Sequence, residues 1–214
     1  MSQRIPTREE LFDALSERHG RELQEKFQAA SVVVCGLGGL GSNIAISLAR
    51  AGVGRLHLID FDKVEISNLN RQQYMADQLG IYKTKALQSN LRRIAPYTEI
   101  ITDTVRITEE NAGELLKNED IICEAFDSAE AKAMLVNFVL ENMQDKYLVS
   151  GSGMAGIASA NMIQTKKLSS RFYLCGDRVS DVSEGLGLFA PRVMACAAHQ
   201  AHMILRIIAG KYDA

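Results

Sequence analysis

Between Ser31 and Arg71 the sequence SVVVCGLGGLGSNIAISLARAGVGRLHLIDFDKVEISNLNR gathers residue types that can hold a phosphorylated ligand. Gly36, Gly38 and Gly41 satisfy G-x-G-x-x-G, with a further glycine at Gly39. In such a turn the first glycine permits the tight bend, the second lets backbone approach a phosphate, and the third allows a helix to pack closely on a strand. A helix beginning there would offer unpaired N–H groups and the positive end of its dipole to phosphate oxygens. Asp60 follows Gly41 by nineteen residues, the interval at which a nucleotide-binding unit places an acid to accept hydrogen bonds from ribose hydroxyls.

Such chemistry needs a strand before the turn, a helix after it and a second strand ending at the acid. Val32 to Val34 is an apolar β-branched run of the kind buried on both faces of a parallel sheet. From Ser42 to Ala51, the spacing of Ile44, Ala45 and Leu48 marks one helical face, and Gly52 stops it. Arg55 to Ile59 reads as the second strand. The stretch from Asp60 to Gln72 is too polar for a core element and reads as a functional loop.

The pattern G-x-G-G-L-G followed by D-x-D-x-V-x-x-S-N-L-x-R-Q runs unbroken through this region. It resembles that of the ubiquitin-activating-like adenylyltransferases that act on sulfur-carrier proteins, typified by ThiF of the thiamine pathway and its molybdopterin-pathway relative. The resemblance implies an α/β, Rossmann-like fold: a mostly parallel sheet with helices on both faces, extended by antiparallel strands. It further implies ATP and Mg²⁺ as cofactors, a small ubiquitin-like carrier ending in Gly-Gly as partner, and a homodimer.

By the same resemblance, Arg71 and Lys83 meet the phosphates, Asp60 holds the ribose, Asn68 orients a phosphate or ribose oxygen, and the turn from Gly36 through Gly38 and Gly39 to Gly41 lies against the nucleotide. Lys83 follows Gly80 in the family's G-x-x-K arrangement, with Lys85 as its competitor. Lysine at a helix start opposes the helix dipole, which makes sense if an anion sits opposite. Arg18-His19-Gly20-Arg21 looks like the family's R-Y-x-R element, so Arg21 would bind the terminal phosphates of a dimer partner. Asp127 matches the second aspartate of D-x-x-D-N and would hold Mg²⁺, while Glu124 replaces the first aspartate and Ser128 the asparagine. Asp127 also stands where an N-cap for a helix over Ser128 to Met143 is expected.

Composition narrows the alternatives. The 214 residues, 47% apolar, suffice for one core, and a single domain over 1–214 with a helical arm over 1–29 is expected. A net charge of −2 gives no general attraction to nucleic acid or anionic membrane. No apolar run approaches the roughly 20 residues of a spanning helix, and MSQRIPTREE has no signal-like apolar region, so a cytoplasmic protein is expected. Cys35, Cys123, Cys175 and Cys196 form no C-x-x-C pair, arguing against a zinc site. With Cys175-Gly176-Asp177 and the run from Gly187 to Val193, the chain resembles the short, zinc-free thiamine-type branch. It carries no cysteine near Ser183 to Gly185 for a covalent carrier link.

Elsewhere, Thr7 to Glu10 is a capping box before an amphipathic helix broken near Gly20. A helix from Lys83 is stopped by Pro96. Further strands are expected over Glu99 to Thr104, Asp120 to Cys123 and Tyr147 to Ser150, with a short helix over Thr108 to Leu116. An antiparallel pair is expected over Ile157 to Gln164 and Arg171 to Cys175, then a flexible segment from Gly176 to Gly187 and a long helix from Pro191. The resulting reading is ATP-dependent adenylation of the carrier's C-terminal glycine carboxylate. Three alternatives remain: an NAD-dependent oxidoreductase, an ATP-dependent tRNA-base dehydratase of the same superfamily, and a non-catalytic nucleotide- or carrier-binding module.

Overall fold

A computed structural model describes residues 4–214; the first three residues of the expected arm lie outside the described residues. Seven strands form one sheet: β1 (Ser31–Cys35), β2 (Arg55–Ile59), β3 (Glu99–Asp103), β4 (Ile121–Glu124), β5 (Tyr147–Gly151), β6 (Gln164–Lys167) and β7 (Phe172–Gly176), in the order β3-β2-β1-β4-β5-β7-β6. All neighbours are parallel except β6 and β7.

Period-two alternation divides β1 between two cores. Val32 and Val34 join α3 (Gly39–Arg50), α4 (Lys83–Ile94) and α7 (Ala190–Ile208) on one face. Val33 and Cys35 join α5 (Glu109–Leu115) and α6 (Ala129–Asn142) on the other. All four are fully buried, and each valine contributes roughly 1.5–3 kcal/mol by burial. A strand with no solvent face therefore needs an unbroken apolar run.

The arm is α1 (Arg8–His19) and α2 (Arg21–Ala29). Thr7 and Glu10 cap α1 reciprocally, and Gly20 separates the helices at φ +93°. α1 has no fully buried residue among those described, whereas α2 buries Gln24 and Phe27.

Three boundaries depart from expectation. α3 starts at Gly39, ahead of Ser42, because Ser42 already donates its N–H to the Gly38 carbonyl at 3.1 Å. The cap of α6 is Ser128, whose hydroxyl accepts from the Ala131 N–H, so Asp127 is not the N-cap. The first strand of the antiparallel pair lies at Gln164–Lys167, starting at the last residue of the expected strand and running on into the residues between the expected pair. Residues 157–162 are exposed around a 3-10 turn at Ala160–Met162, and Ile163, just before the strand, is buried. The carbonyls of Ala158 and Ser159 there accept from Arg192 instead of a neighbouring strand. Thr165 and Lys167 instead settle against the α7 layer, through His199 at 3.0 Å and the Tyr212 carbonyl at 2.9 Å.

Candidate nucleotide-binding site

The carboxyl ends of β1, β2 and β4 converge on the turn between β1 and α3. Gly36 sits at φ +91°, and a Cβ there would lie 2.9 Å from the Ala125 carbonyl oxygen. At Gly41 it would fall 1.8 Å from the Gly36 oxygen, which no rearrangement of side chains relieves. Gly39 would meet Val193 Cγ1 at 2.9 Å, with the stem of Arg71 alongside at 3.5 Å. Gly38 differs: φ is −75°, and the nearest atom to an added Cβ is Gln72 Nε2 at 3.8 Å. The chain's own packing therefore requires glycine at 36 and 41 but not at 38, where an added Cβ would make only an ordinary contact with Gln72.

Asp60, at the end of β2, is buried. One carboxylate oxygen accepts from the Leu37 N–H at 2.6 Å and the other from the Asp62 N–H at 2.7 Å. Asp60 thus braces the glycine turn. Burial raises its pKa, while the Lys83 ammonium and the two N–H groups pull it down, leaving a net rise. Lys83 is buried with its Nζ 2.9 Å from Asp62 Oδ2, whereas Lys85 is exposed and donates to Thr102 on β3. The fold thus brings Lys83, not Lys85, to the acidic end of β2.

Arg71 donates from Nη1 to the Ser67 carbonyl and to Asn70 Oδ1, both at 2.9 Å. Asn68 is buried and caps a 3-10 turn by accepting from the Glu65 N–H at 3.0 Å. Sequence reasoning missed the residues that tie this loop to the turn. Asn43 donates to the carbonyls of Gly39 at 2.7 Å and Arg71 at 3.1 Å, and accepts from Gln73 at 2.6 Å. The Ser42 hydroxyl accepts from the Gln73 N–H, and the Tyr74 hydroxyl donates to the Leu37 carbonyl at 2.7 Å. The available signal was a Ser-Asn pair near the start of a mostly apolar helix.

Asp127 is exposed beyond β4, and its carboxylate has no hydrogen-bond partner among the described residues. Its neighbour Phe126 lies where it would contact a Cβ at Gly36, at 2.9 Å. The described residues hold no cluster of three metal-ligating side chains. One unpaired carboxylate nevertheless fits magnesium, which takes one or two carboxylates and completes its shell with phosphate oxygens and water. The segment between β7 and α7 adjoins the Arg71 loop, where Asn70 donates to the Leu188 carbonyl at 3.1 Å. Arg192 and Asp177 pair beneath it, both buried. Burial raises the Asp177 pKa, but the N–H groups of Ser180 and Val179, the Ser180 hydroxyl and Arg192 outweigh it and bring the group to about 2.

Arg21 is not brought to this turn. Its guanidinium pairs with Glu25 at 3.2 Å and lies over Phe12 at 5.3 Å. α2 stands at the amino end of the strands, where Gly54 and Arg55 donate to the carbonyls of Phe27 and Ala30. Cys175 is fully buried with its thiol pushed up to about 11, so it stays protonated at neutral pH.

A family model described as the ThiF family matches residues 13–214, nearly the whole chain. The chain belongs to the ThiF family. A sulfur carrier protein adenylyltransferase of Thermus thermophilus is 41% identical over 110 residues, 51% of this chain and 41% of that protein. A molybdopterin-synthase adenylyltransferase of Haemophilus influenzae is 38% identical over 113 residues, 52% of this chain and 46% of that protein. The matched part of the chain thus spans under half the length of these two relatives. Among solved structures, the E. coli tRNA N6-threonylcarbamoyladenosine dehydratase in complex with ATP superposes with a TM-score of 0.83. It is 23% identical, with 93% of each chain covered. E. coli MccB with ATP gives 0.69 at 21% identity, covering 89% of this chain and 59% of that one. These likenesses establish the Rossmann-like, mostly parallel sheet.

Proposed function

We propose that the protein adenylates the C-terminal glycine carboxylate of a small ubiquitin-like sulfur-carrier protein, in the thiamine thiazole pathway, as a homodimer. The observation that carries the reading is what surrounds the turn from Gly36 to Gly41: the stem of Arg71 at Gly39, Lys83 at the Asp60–Asp62 end of β2, and, beyond Phe126, Asp127 with no hydrogen-bond partner among the described residues.

A free α-carboxyl has a pKa of roughly 3.5, so the carrier's nucleophile is ionised at neutral pH and needs no general base. One carboxylate oxygen attacks the α-phosphorus, the bond to the β-phosphate oxygen breaks, and pyrophosphate leaves, giving an acyl-adenylate. The obstacle is charge, because a carboxylate must approach a polyanion. Positioned cations remove it. Arg71 and Lys83 are the cations of this chain, Asp60 holds the ribose, Asn68 orients a phosphate or ribose oxygen, and the N–H groups after Gly38 face the phosphates. Arg21 reaches the site of the second copy. Asp127 holds magnesium, which when bound neutralises phosphate charge.

Pyrophosphate exchange tests the reading. Exchange from ATP is expected only when a carrier ending in Gly-Gly is added, and removal of its last glycine is expected to stop it. Exchange driven instead by tRNA bearing N6-threonylcarbamoyladenosine would replace the carrier with a nucleic acid substrate. Binding of NAD in preference to ATP by calorimetry would remove adenylation altogether.

A further inference from the structure

Glu124 stands where the resembling family carries aspartate, and in this chain both its carboxylate oxygens are engaged. It ends β4 directly beside Ser150 of β5, the two paired in register and facing the α5–α6 layer with Ile122 and Leu148. Glu124 is completely buried. One oxygen accepts from the Phe126 N–H at 2.7 Å, both accept from Lys132 Nζ at 2.7 and 2.6 Å, and the Ser150 hydroxyl donates to the second oxygen. The carbonyl of the same residue accepts from Gln200 Nε2 of α7 at 3.0 Å, so this strand end is clamped from both layers.

Lys132 lies near the start of α6, where the helix dipole opposes a cation. Its ammonium is held there by the Glu124 carboxylate. Between the two anchored points, Phe126 and the capped start of α6, sits Asp127 with no partner of its own among the described residues. The carboxylate that would face magnesium is therefore placed entirely by its neighbours.

Resting on the adenylation reading, we propose that Glu124 is a positioning residue: through the Phe126 N–H and the Lys132 ammonium it sets Asp127 for the magnesium-bound triphosphate. A Glu124→Gln change keeps the shape and an acceptor for Phe126 but uncouples Lys132, and loosens the 125–128 loop. The contrast to measure is ATP with magnesium, whose phosphates reach Asp127, against AMP, which lacks the terminal phosphates.

Calorimetry with the full chain decides it. In Glu124→Gln, affinity for ATP with magnesium should fall by about tenfold or more, as expected for loss of a buried charge-assisted hydrogen bond. AMP affinity should stay within about twofold in the same variant. In an Asp127→Ala background, Glu124→Gln should add no further loss, because a residue acting through Asp127 has nothing left to position. Equal weakening of ATP and AMP, unchanged binding of both, or full additivity with Asp127→Ala would each overturn the proposal. If Glu124→Gln does not fold, Ser150→Ala removes one arm of the same network and should show the same selectivity, more weakly. A wild-type chain that binds ATP with magnesium, yet exchanges no pyrophosphate with any carrier, would sink the adenylation reading and leave these binding outcomes to stand alone. A wild-type chain indifferent to magnesium would sink both.

Discussion

The two walls of the site are made differently. On the β1–β2 side almost every polar group is already engaged: Asp60 with two N–H groups, Lys83 with Asp62, and Asn43 with two carbonyls and Gln73. On the β4–α7 side the Asp127 carboxylate has no hydrogen-bond partner among the described residues, and Val179, Val182 and Phe189 are exposed on the segment between β7 and α7. The first wall is preorganised, so it would lose little conformational freedom on binding the nucleotide proposed for it. The second wall keeps its engaged groups beneath the surface, in the Glu124–Lys132–Ser150 network and the Asp177–Arg192 pair, and presents the Asp127 carboxylate outward.

Substitutions can break that contrast. Gly41→Ala should have the largest effect, since its Cβ meets backbone at 1.8 Å; loss of the cooperative thermal transition is expected by circular dichroism. Arg71→Ala and Asp127→Ala should each abolish carrier-dependent exchange, a fall of roughly 100-fold or more, with the melting temperature little changed, since neither side chain anchors the core. Near-normal exchange in both would remove the cationic and metal assignments together.

Gly38→Ala sharpens the comparison, because space exists for its Cβ in the chain itself. Normal folding with ATP affinity reduced about tenfold is expected by calorimetry. Unchanged affinity would mean that phosphate does not approach there. Asn43→Ala should cost about 1–3 kcal/mol in urea unfolding, showing that the first wall carries stability that Asp127 does not.

The smallest effect lies outside both walls. His57 on β2 is buried between Asp103 at 2.7 Å and Glu119 at 3.4 Å. Burial lowers its pKa, but hydrogen bonds to Glu119 and Asp103 and their charges outweigh burial and raise it above the ordinary value. Its stabilising contribution is therefore full below the unfolded pKa of about 6.5 and fades as pH rises through the folded one. His57→Gln should remove that slope from stability-versus-pH curves while leaving ATP binding alone.

From Ser31 to Arg71 the sequence by itself determined the strand, the turn, the helix and the acid. Each is written in local terms: a run of valines, glycines at fixed intervals, a 3.6-residue period. Boundaries were legible wherever one residue carries the signal, as Thr7 with Glu10 or Pro96 does, and failed at residues 157–167, where an exposed apolar residue such as Ile157 imitates a strand. Only the tertiary structure decided that Lys83 rather than Lys85 meets the β2 acids, and that Asn43 ties Gly39 to Arg71. Those choices depend on which elements lie side by side after folding, and a hydrogen bond between residues 43 and 71 leaves no periodicity in the chain to read.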